Sequence, residues 1–378
     1  MSTARSSRLT VDAKDISMTT GSIVALTGPE QVQLKSFEVP DPEPGAVVLR
    51  VRRANVCGSD IHQFHYESPS LREAGLGHEF VGEIAALGEG VTTDYAGEPV
   101  AVGDRVVPVY FLQCHHCAAC LRSEFSSCVN SLAAWSRNPE LAPHFSAGYA
   151  THYYVQPGQH FYRVPDGVDD ASVAGANCGL AQMIFVLDKA GLEAGETLVV
   201  QGAGGLGLYA AAVGRERGAH VVVVDGVKDR LDLAREFGAD DVIDLTDHAT
   251  PADRAQAVRD LTGGVGADLV LEVTGHPAAF SEAIEIARVG GRIASVGNLN
   301  GEAEISFVPG LVTRKSLTIR GVLRYDPWYL HRAVQFLSRR AGLHPFGELA
   351  GVTYSLDQAL DALRDGESRS VARAAIVP

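Results

Sequence analysis

The sequence predicts a two-part fold: a barrel-like β region followed by a doubly wound α/β domain with a parallel sheet. Three observations carry that expectation. From about residue 22 to 175, short runs alternate polar and apolar residues between turns rich in Gly, Pro and Asp. From about residue 180, apolar runs alternate with linkers of helical spacing. A glycine-rich turn, Gly202-Ala203-Gly204-Gly205-Leu206-Gly207, directly follows the first of those later runs.

Taken in order, residues 1–21 are polar and read as a flexible tail. The β region then offers Ile23–Leu26, Val47–Arg53, Phe80–Leu87, Arg105–Val109 and Tyr149–Val155 as strands. Turns such as Asp41-Pro42-Glu43-Pro44-Gly45 separate them, as in an all-β barrel. The second domain offers Leu198–Gln201, Val221–Val224, Val242–Leu245, Leu269–Val273, Arg292–Val296 and Leu317–Arg320. Linkers such as Leu206–Arg217 and Lys228–Phe237 have the apolar spacing of helices, so the strands are expected to lie parallel. Residues 323–378 break the alternation and are expected to return to the first domain.

Composition narrows the function classes. Hydrophobic residues are 46% and charged residues 21%, ordinary for a globular protein, and 378 residues suggest two domains. Net charge is −14 with no lysine or arginine run, so no nucleic-acid partner is expected. No apolar segment follows Met1, and no long apolar run reads as a membrane helix. The expected location is therefore the cytoplasm, where thiols stay reduced. The six cysteines allow three disulfides by arithmetic, but a chain of this length does not need such staples.

Metal binding accounts for the cysteines better. Cys114-x-x-Cys117-x-x-Cys120-x7-Cys128 supplies four thiolates, enough for one closed tetrahedral zinc site. Cys57 and Cys178 lie far apart in sequence, and between them Gly77-His78-Glu79 offers an imidazole. Two thiolates and one imidazole leave a fourth position open, the arrangement of a catalytic zinc. Singly, either cysteine reads as a buried small hydrophobe. Beside His78 and the four-cysteine cluster, the metal reading is preferred, and two zinc ions per chain are expected.

The glycine-rich turn sits between a strand and a helix, which is the context a dinucleotide motif requires. Glycines let the turn close tightly and let backbone N–H groups approach a pyrophosphate at the helix N-terminus. Asp225 ends the next strand, eighteen residues after Gly207. A carboxylate there accepts hydrogen bonds from the adenosine ribose and repels a 2′-phosphate, which favours NAD over NADP. It also suits a turn or helix start before Val227–Phe237.

Taken together, Cys57-Gly58-Ser59-Asp60-Ile61-His62, Gly77-His78-Glu79, the four-cysteine loop, the glycine turn and Asp225 resemble the zinc-dependent medium-chain alcohol dehydrogenases. The resemblance runs from about residue 22 to the C-terminus. It implies a GroES-like β-barrel-type catalytic domain over 22–179, with a structural zinc lobe at 112–130. A Rossmann NAD-binding domain over 180–322 interrupts it, and 323–378 complete it. Cys57, His78 and Cys178 would hold the catalytic zinc, with Glu79 able to approach the metal during exchange and Asp60 orienting a ligand. Cys178 weighs against a sorbitol- or threonine-dehydrogenase-like reading, where a carboxylate is usual. Cys114, Cys117, Cys120 and Cys128 would hold the structural zinc; His115 and His116 depart from the usual residues there, and neither is needed as a ligand.

The same resemblance implies the chemistry. Ser59 would bond the substrate oxygen, and His62 would pass its proton onward to solvent. Zinc would activate the alcohol, and the nicotinamide would accept the hydride. Gly202, Gly204, Gly205, Leu206 and Gly207 would hold the cofactor with Asp225, Arg230, Val273 and Gly297. Gly58 stands where some relatives place a basic residue on the pyrophosphate, and Arg373 is expected to compensate. A small alcohol or carbonyl substrate and a homodimer or homotetramer are implied. Phe64–Tyr66, Trp135–Phe145 and the vicinity of Leu299 would line the pocket; Trp135, Phe145 and Tyr66 point to a secondary, bulky or ring-bearing alcohol. Arg137 and His144 would meet a polar group. Two alternatives stay open: a zinc-containing reductase of an activated C=C bond, and a nucleotide-binding protein without turnover.

Overall fold

The chain builds two sheets and a hairpin in the computed structural model, which describes residues 19–65, 73–131, 137–298, 301–340, 342–368 and 373–378. The hairpin pairs β1 (Thr20–Gly28) with β2 (Gln31–Glu38). Bridges Ile23 to Ala150 and Ala25 to Gly75 tie it to the rest of the β region. β1 begins at Thr20, inside the stretch expected as a tail, and residues 1–18 lie outside the described residues.

Next come β3 (Val47–Asn55), β4 (Glu79–Leu87), β5 (Arg105–Pro108), β6 (His152–Val155) and β7 (Phe161–Arg163). The β3–β4 ladder shifts register twice, between Val48 and Leu49 and between Val51 and Arg53. Such irregularities bend and twist a strand, which curves the sheet around its apolar face. Val47, Leu49, Val51, Phe80 and Tyr153 fill that interior.

The second sheet holds β8 (Thr197–Gln201), β9 (His220–Asp225), β10 (Asp241–Asp244), β11 (Ala267–Glu272), β12 (Ala287–Ser295) and β13 (Thr318–Gly321). All its pairings are parallel, in the order β10-β9-β8-β11-β12-β13. The expected doubly wound fold is thus observed, with each of the six expected strands in place. Helices cover both faces, so neighbouring residues of one strand face different cores. Leu198 and Val200 pack with Leu208 and Val213, while Val199 packs with Val258 and Ile284. The strand order reverses between β8 and β11, and a ligand crevice is expected beyond their C-terminal ends.

The chain then returns to the first sheet through β14 (Val352–Tyr354) and β15 (Ala374–Ile376). β15 runs antiparallel to β3, with Ala375 opposite Asn55 and Ile376 opposite Ala54. This late pairing draws Arg373, just before β15, into the middle of the molecule.

The helical stretch Asp170–Lys189 has the length and apolar character of a membrane span, with 89% of its apolar window buried. It is a core helix, apolar because both domains pack around it. Its centre is a π turn, Ala176–Leu180, which widens the helix at Cys178.

A bidentate ion pair fixes the helices behind β11. Arg254 Nε and Nη2 donate to the two Glu282 carboxylate oxygens at 2.8 and 2.5 Å, and both residues are buried. It joins helix Pro251–Leu261 to helix Pro277–Ile286. Removing one partner strands the other charge, a loss of about 3–5 kcal/mol, whereas an apolar pair of similar volume is close to neutral. Urea denaturation should therefore show Arg254→Ala far less stable than Arg254→Met combined with Glu282→Leu. Equal midpoints would contradict this account.

Candidate active site

Helix Gly58–Phe64 starts at Cys57, whose backbone N–H donates to Asp60 Oδ2 at 2.9 Å. That carboxylate is fully buried and does two further things. Oδ2 accepts from the Tyr149 hydroxyl at 2.8 Å, and Oδ1 lies 3.0 Å from His78 Nδ1. Asp60 thus fixes the His78 ring and leaves Nε2 facing the cysteines. Gly77 has φ +89, and a Cβ there would collide with the Tyr149 ring, so glycine is required just before His78. Tyr149 was not foreseen in the sequence.

The metal-ligand atoms of Cys57, His78, Glu79 and Cys178 all lie within 4.8 Å of one another, and all four residues are buried. They come from a helix start, the entry to β4 and the π turn. Gly175 and Gly179 flank that turn; a Cβ at either would run into Tyr209. Tyr209, on helix Gly205–Glu216, therefore packs against the turn and joins the two domains at this point.

Electrostatics show what the cluster lacks. The hydrogen bond from Cys178 holds the Cys57 thiol well below the ordinary thiol range, despite burial. The same bond, with burial, pushes Cys178 well above it. Burial pushes Glu79 up to about 8, with Arg373 pulling the other way. Burial also opposes a charged His78, but Asp60 outweighs it and raises that pKa well above the usual value. Two buried thiolates and a carboxylate carry more negative charge than Arg373 alone offsets, and Glu79 Oε1 has no hydrogen-bond partner. Soft thiolates with an imidazole suit zinc, so the donor set fits the metal.

Ser59 Oγ donates to Cys57 Sγ at 3.4 Å and lies 3.3 Å from His78 Nε2, half-exposed at the edge of the cluster. His62 is exposed one turn further along the same helix. Tyr110 packs its ring on His78, with centroids 4.9 Å apart. It too was missed, since an aromatic after a strand carries no signal beyond packing.

Cys114, Cys117, Cys120 and Cys128 form a second group, their sulfurs also within 4.8 Å of one another. The Cys114 N–H donates to Cys128 Sγ at 3.4 Å. His116 Nδ1 lies 2.6 Å from the Cys114 carbonyl, and His115 packs on Phe125. Neither histidine joins the sulfurs. The lobe is tied down where the Ser126 N–H donates to Asp326 Oδ1 at 2.9 Å.

The glycine turn lies against the first cluster. Gly202 has φ +104, and a Cβ on Gly207 would collide with the Gly202 carbonyl oxygen. A Cβ on Gly205 would collide with the Arg373 guanidinium. Arg373 also forms a buried ion pair with Glu79, so one side chain touches both the nucleotide turn and the thiol cluster. Asp225 accepts from Ala203 N at 2.7 Å and Val227 N at 2.9 Å, bracing the turn and the start of the next helix. Val273 N donates to the Gln201 carbonyl at 3.1 Å, and Gly297 abuts Gly275 too closely for any side chain. Arg230 is half-buried on helix Lys228–Glu236.

The expected substrate-lining residues fare differently. Tyr66, Trp135 and Leu299 lie outside the described residues. Phe145 is a core residue, packed with Ile23, Ala46 and Val48, and not with the thiol cluster. His144 stacks on Phe37, with centroids 4.4 Å apart. Arg137 is half-buried.

Comparison with known proteins agrees with this architecture. The profile of the alcohol dehydrogenase GroES-like domain matches residues 43–166, and that of the zinc-binding dehydrogenases matches residues 205–339. The chain is 34% identical over 340 residues to 5-exo-hydroxycamphor dehydrogenase of Pseudomonas putida, covering 88% of this chain and 92% of that one. It is 30% identical over 356 residues to L-threonine 3-dehydrogenase of Aeromonas hydrophila, covering 90% and 96%. Similarity thus extends to a branch that Cys178 had weighed against. The crystal structure of an alcohol dehydrogenase from Thermotoga maritima superimposes with a TM-score of 0.89 at 29% identity, covering 95% of this chain and 100% of the other.

Proposed function

The chain belongs to the zinc-dependent medium-chain alcohol dehydrogenase family, and from that premise we propose that it oxidises a secondary or ring-bearing alcohol with NAD, reversibly, to the ketone. One observation carries the reading: Arg373 rests on Gly205 of the nucleotide turn while pairing with Glu79 of the thiol cluster. A hydride acceptor held at the turn and a substrate held at the cluster would therefore meet. The ring-bearing substrate is supported by the relative named for a hydroxycamphor.

In this reading Cys57, His78 and Cys178 hold one zinc, and Cys114, Cys117, Cys120 and Cys128 hold a second. When bound, the first zinc supplies Lewis-acid polarisation of the substrate oxygen, and the nicotinamide supplies the hydride acceptor. Asp60 holds His78 in the tautomer that leaves Nε2 as a ligand atom. Ser59, half-exposed beside Cys57 and His78, would accept the hydrogen bond of the substrate hydroxyl and take its proton while releasing its own toward the cofactor ribose hydroxyls, from which His62 on the solvent side would carry it away. Glu79 balances the pocket charge with Arg373. Asp225, pinned by two backbone N–H groups, cannot swing aside from a 2′-phosphate.

Metal content tests the two sites separately. Protein purified without chelator should carry two zinc ions, and Cys117→Ala should carry one with a lowered melting temperature, since structural zinc binding contributes directly to folding. A single zinc in the wild type would remove the second site.

Cofactor choice tests Asp225. Like charges brought together cost several kcal/mol, so wild-type kcat/KM should favour NAD strongly. Asp225→Ser should narrow that preference chiefly by improving NADP use. Wild-type preference for NADP would show that the carboxylate has another role.

The reaction itself is tested by a screen of primary, secondary and cyclic alcohols with NAD, repeated for Ser59→Ala. A positioned acid–base group contributes about 10²–10⁴-fold, so the variant should lose at least about a hundredfold in kcat/KM for the accepted alcohol. A C=C reductase has no hydroxyl proton to export and would tolerate the change. Wild-type rates in Ser59→Ala, or turnover confined to enals and enones, would favour that alternative.

A further inference from the structure

Glu272 ends β11 with a carboxylate that is fully buried. Among the described residues it has no cationic partner; neutral donors surround it instead. Oε1 accepts from the Thr274 N–H at 2.8 Å, the Thr274 hydroxyl at 2.8 Å and the Gly275 N–H at 3.0 Å. Oε2 accepts from the Ser295 hydroxyl at 3.2 Å and from Asn298 Nδ2 at 2.7 Å. Its own carbonyl accepts from the Val296 and Gly297 N–H groups at 2.9 and 3.2 Å. One residue thus holds the loops that leave β11 and β12.

Those loops lie where a dinucleotide would end. Asp225 ends β9, on one side of β8, and β11 and β12 lie on the other. A dinucleotide crossing the reversal point with its adenosine over β9 places its nicotinamide beyond β11 and β12. Gly202 of the nucleotide turn abuts Thr274; a Cβ there would be 3.1 Å from Thr274 Cγ2. We infer that Glu272 is a positioning residue for the nicotinamide half of the cofactor, setting the two loops and the direction of the Asn298 amide. Glu272 Oε2 is the acceptor at that contact, so the Asn298 NH2 faces inward and its oxygen faces away.

This makes Glu272→Gln an informative change. The Gln carbonyl can still accept from the Thr274 and Gly275 N–H groups. Its NH2 must then donate toward Ser295 and Asn298, which is satisfied only when the Asn298 amide turns over. Fold and volume are kept while the acceptor and donor at Asn298 exchange places.

The inference rests on nicotinamide-dinucleotide binding in this cleft, and is independent of the choice between NAD and NADP and of the substrate. The test measures dissociation constants for NADH and for ADP-ribose, which lacks the nicotinamide, on the zinc-loaded chain by calorimetry. Glu272→Gln should weaken NADH at least about tenfold and change ADP-ribose less than about twofold, with a melting temperature near that of the wild type. Asn298→Ala, which removes one arm and leaves the buried carboxylate in place, should weaken NADH in the same selective way. Equal weakening of both ligands, or none, in both variants would reduce Glu272 to a general structural role and overturn the inference. Wild-type protein that binds neither ligand would overturn the dinucleotide reading itself.

Discussion

The site is organised around one electrostatic constraint: Cys57, Cys178, Glu79 and Asp60 are four potential anions buried within a few side-chain widths. Each must be neutralised, hydrogen-bonded or protonated, because an unpaired buried charge costs far more than packing returns. Asp60 spends its acceptor capacity on the Cys57 N–H, the Tyr149 hydroxyl and His78. Glu79 takes Arg373. The two sulfurs share a hydrogen bond that holds one low and the other high, a compromise that a divalent cation held there would replace with two thiolates.

That constraint reaches into the fold. Arg373 can meet Glu79 only because β15 pairs with β3 after the chain has completed the second domain. Its guanidinium also occupies the space above Gly205, so the electrostatics of the thiol cluster and the start of the nucleotide helix are set by one side chain. Tyr209 closes the same seam, its ring beneath the Arg373 guanidinium and packed on the π turn that carries Cys178. Domain closure and site assembly are here the same contacts.

The legible parts of the sequence were those with restricted chemistry. Cysteine and histidine in Cys57, His78, Cys178 and the 114–128 loop have few other reasons to occur in such spacing. Gly202, with φ +104, and Gly207, where a Cβ would collide with the Gly202 carbonyl oxygen, are glycines for steric reasons that hold locally. The six parallel strands were readable because strands buried on both faces, such as Val221–Val224, are continuous apolar runs. The strands β2, β7, β14 and β15 were not: β7, β14 and β15 are three residues long, and β2 buries little of its side chains against its hairpin partner. The apolar helix Asp170–Lys189 shows the converse, since burial between two domains produces the composition of a membrane span. Tyr149 and Glu272 escaped notice because their work lies in contacts with distant residues, Asp60 in one case and Ser295 and Asn298 in the other. Phe145 read as a pocket residue, but aromatic side chains of the β region are consumed by its core.

The two buried glutamates solve the same problem in opposite ways, and the difference follows from what surrounds them. Glu272 is ringed by neutral donors from its own loops, with both carboxylate oxygens used. Moving it would orphan several N–H and O–H groups at once, so it acts as a fixed pin. Glu79 holds a single cationic partner through Oε2 and leaves Oε1 unpaired. Its position is therefore set by charge more than by hydrogen-bond geometry, and any change of charge at the cysteines or at Arg373 shifts the balance on it. The cleft thus holds one buried carboxylate satisfied by neutral donors of its own loops and one balanced between thiols and a guanidinium.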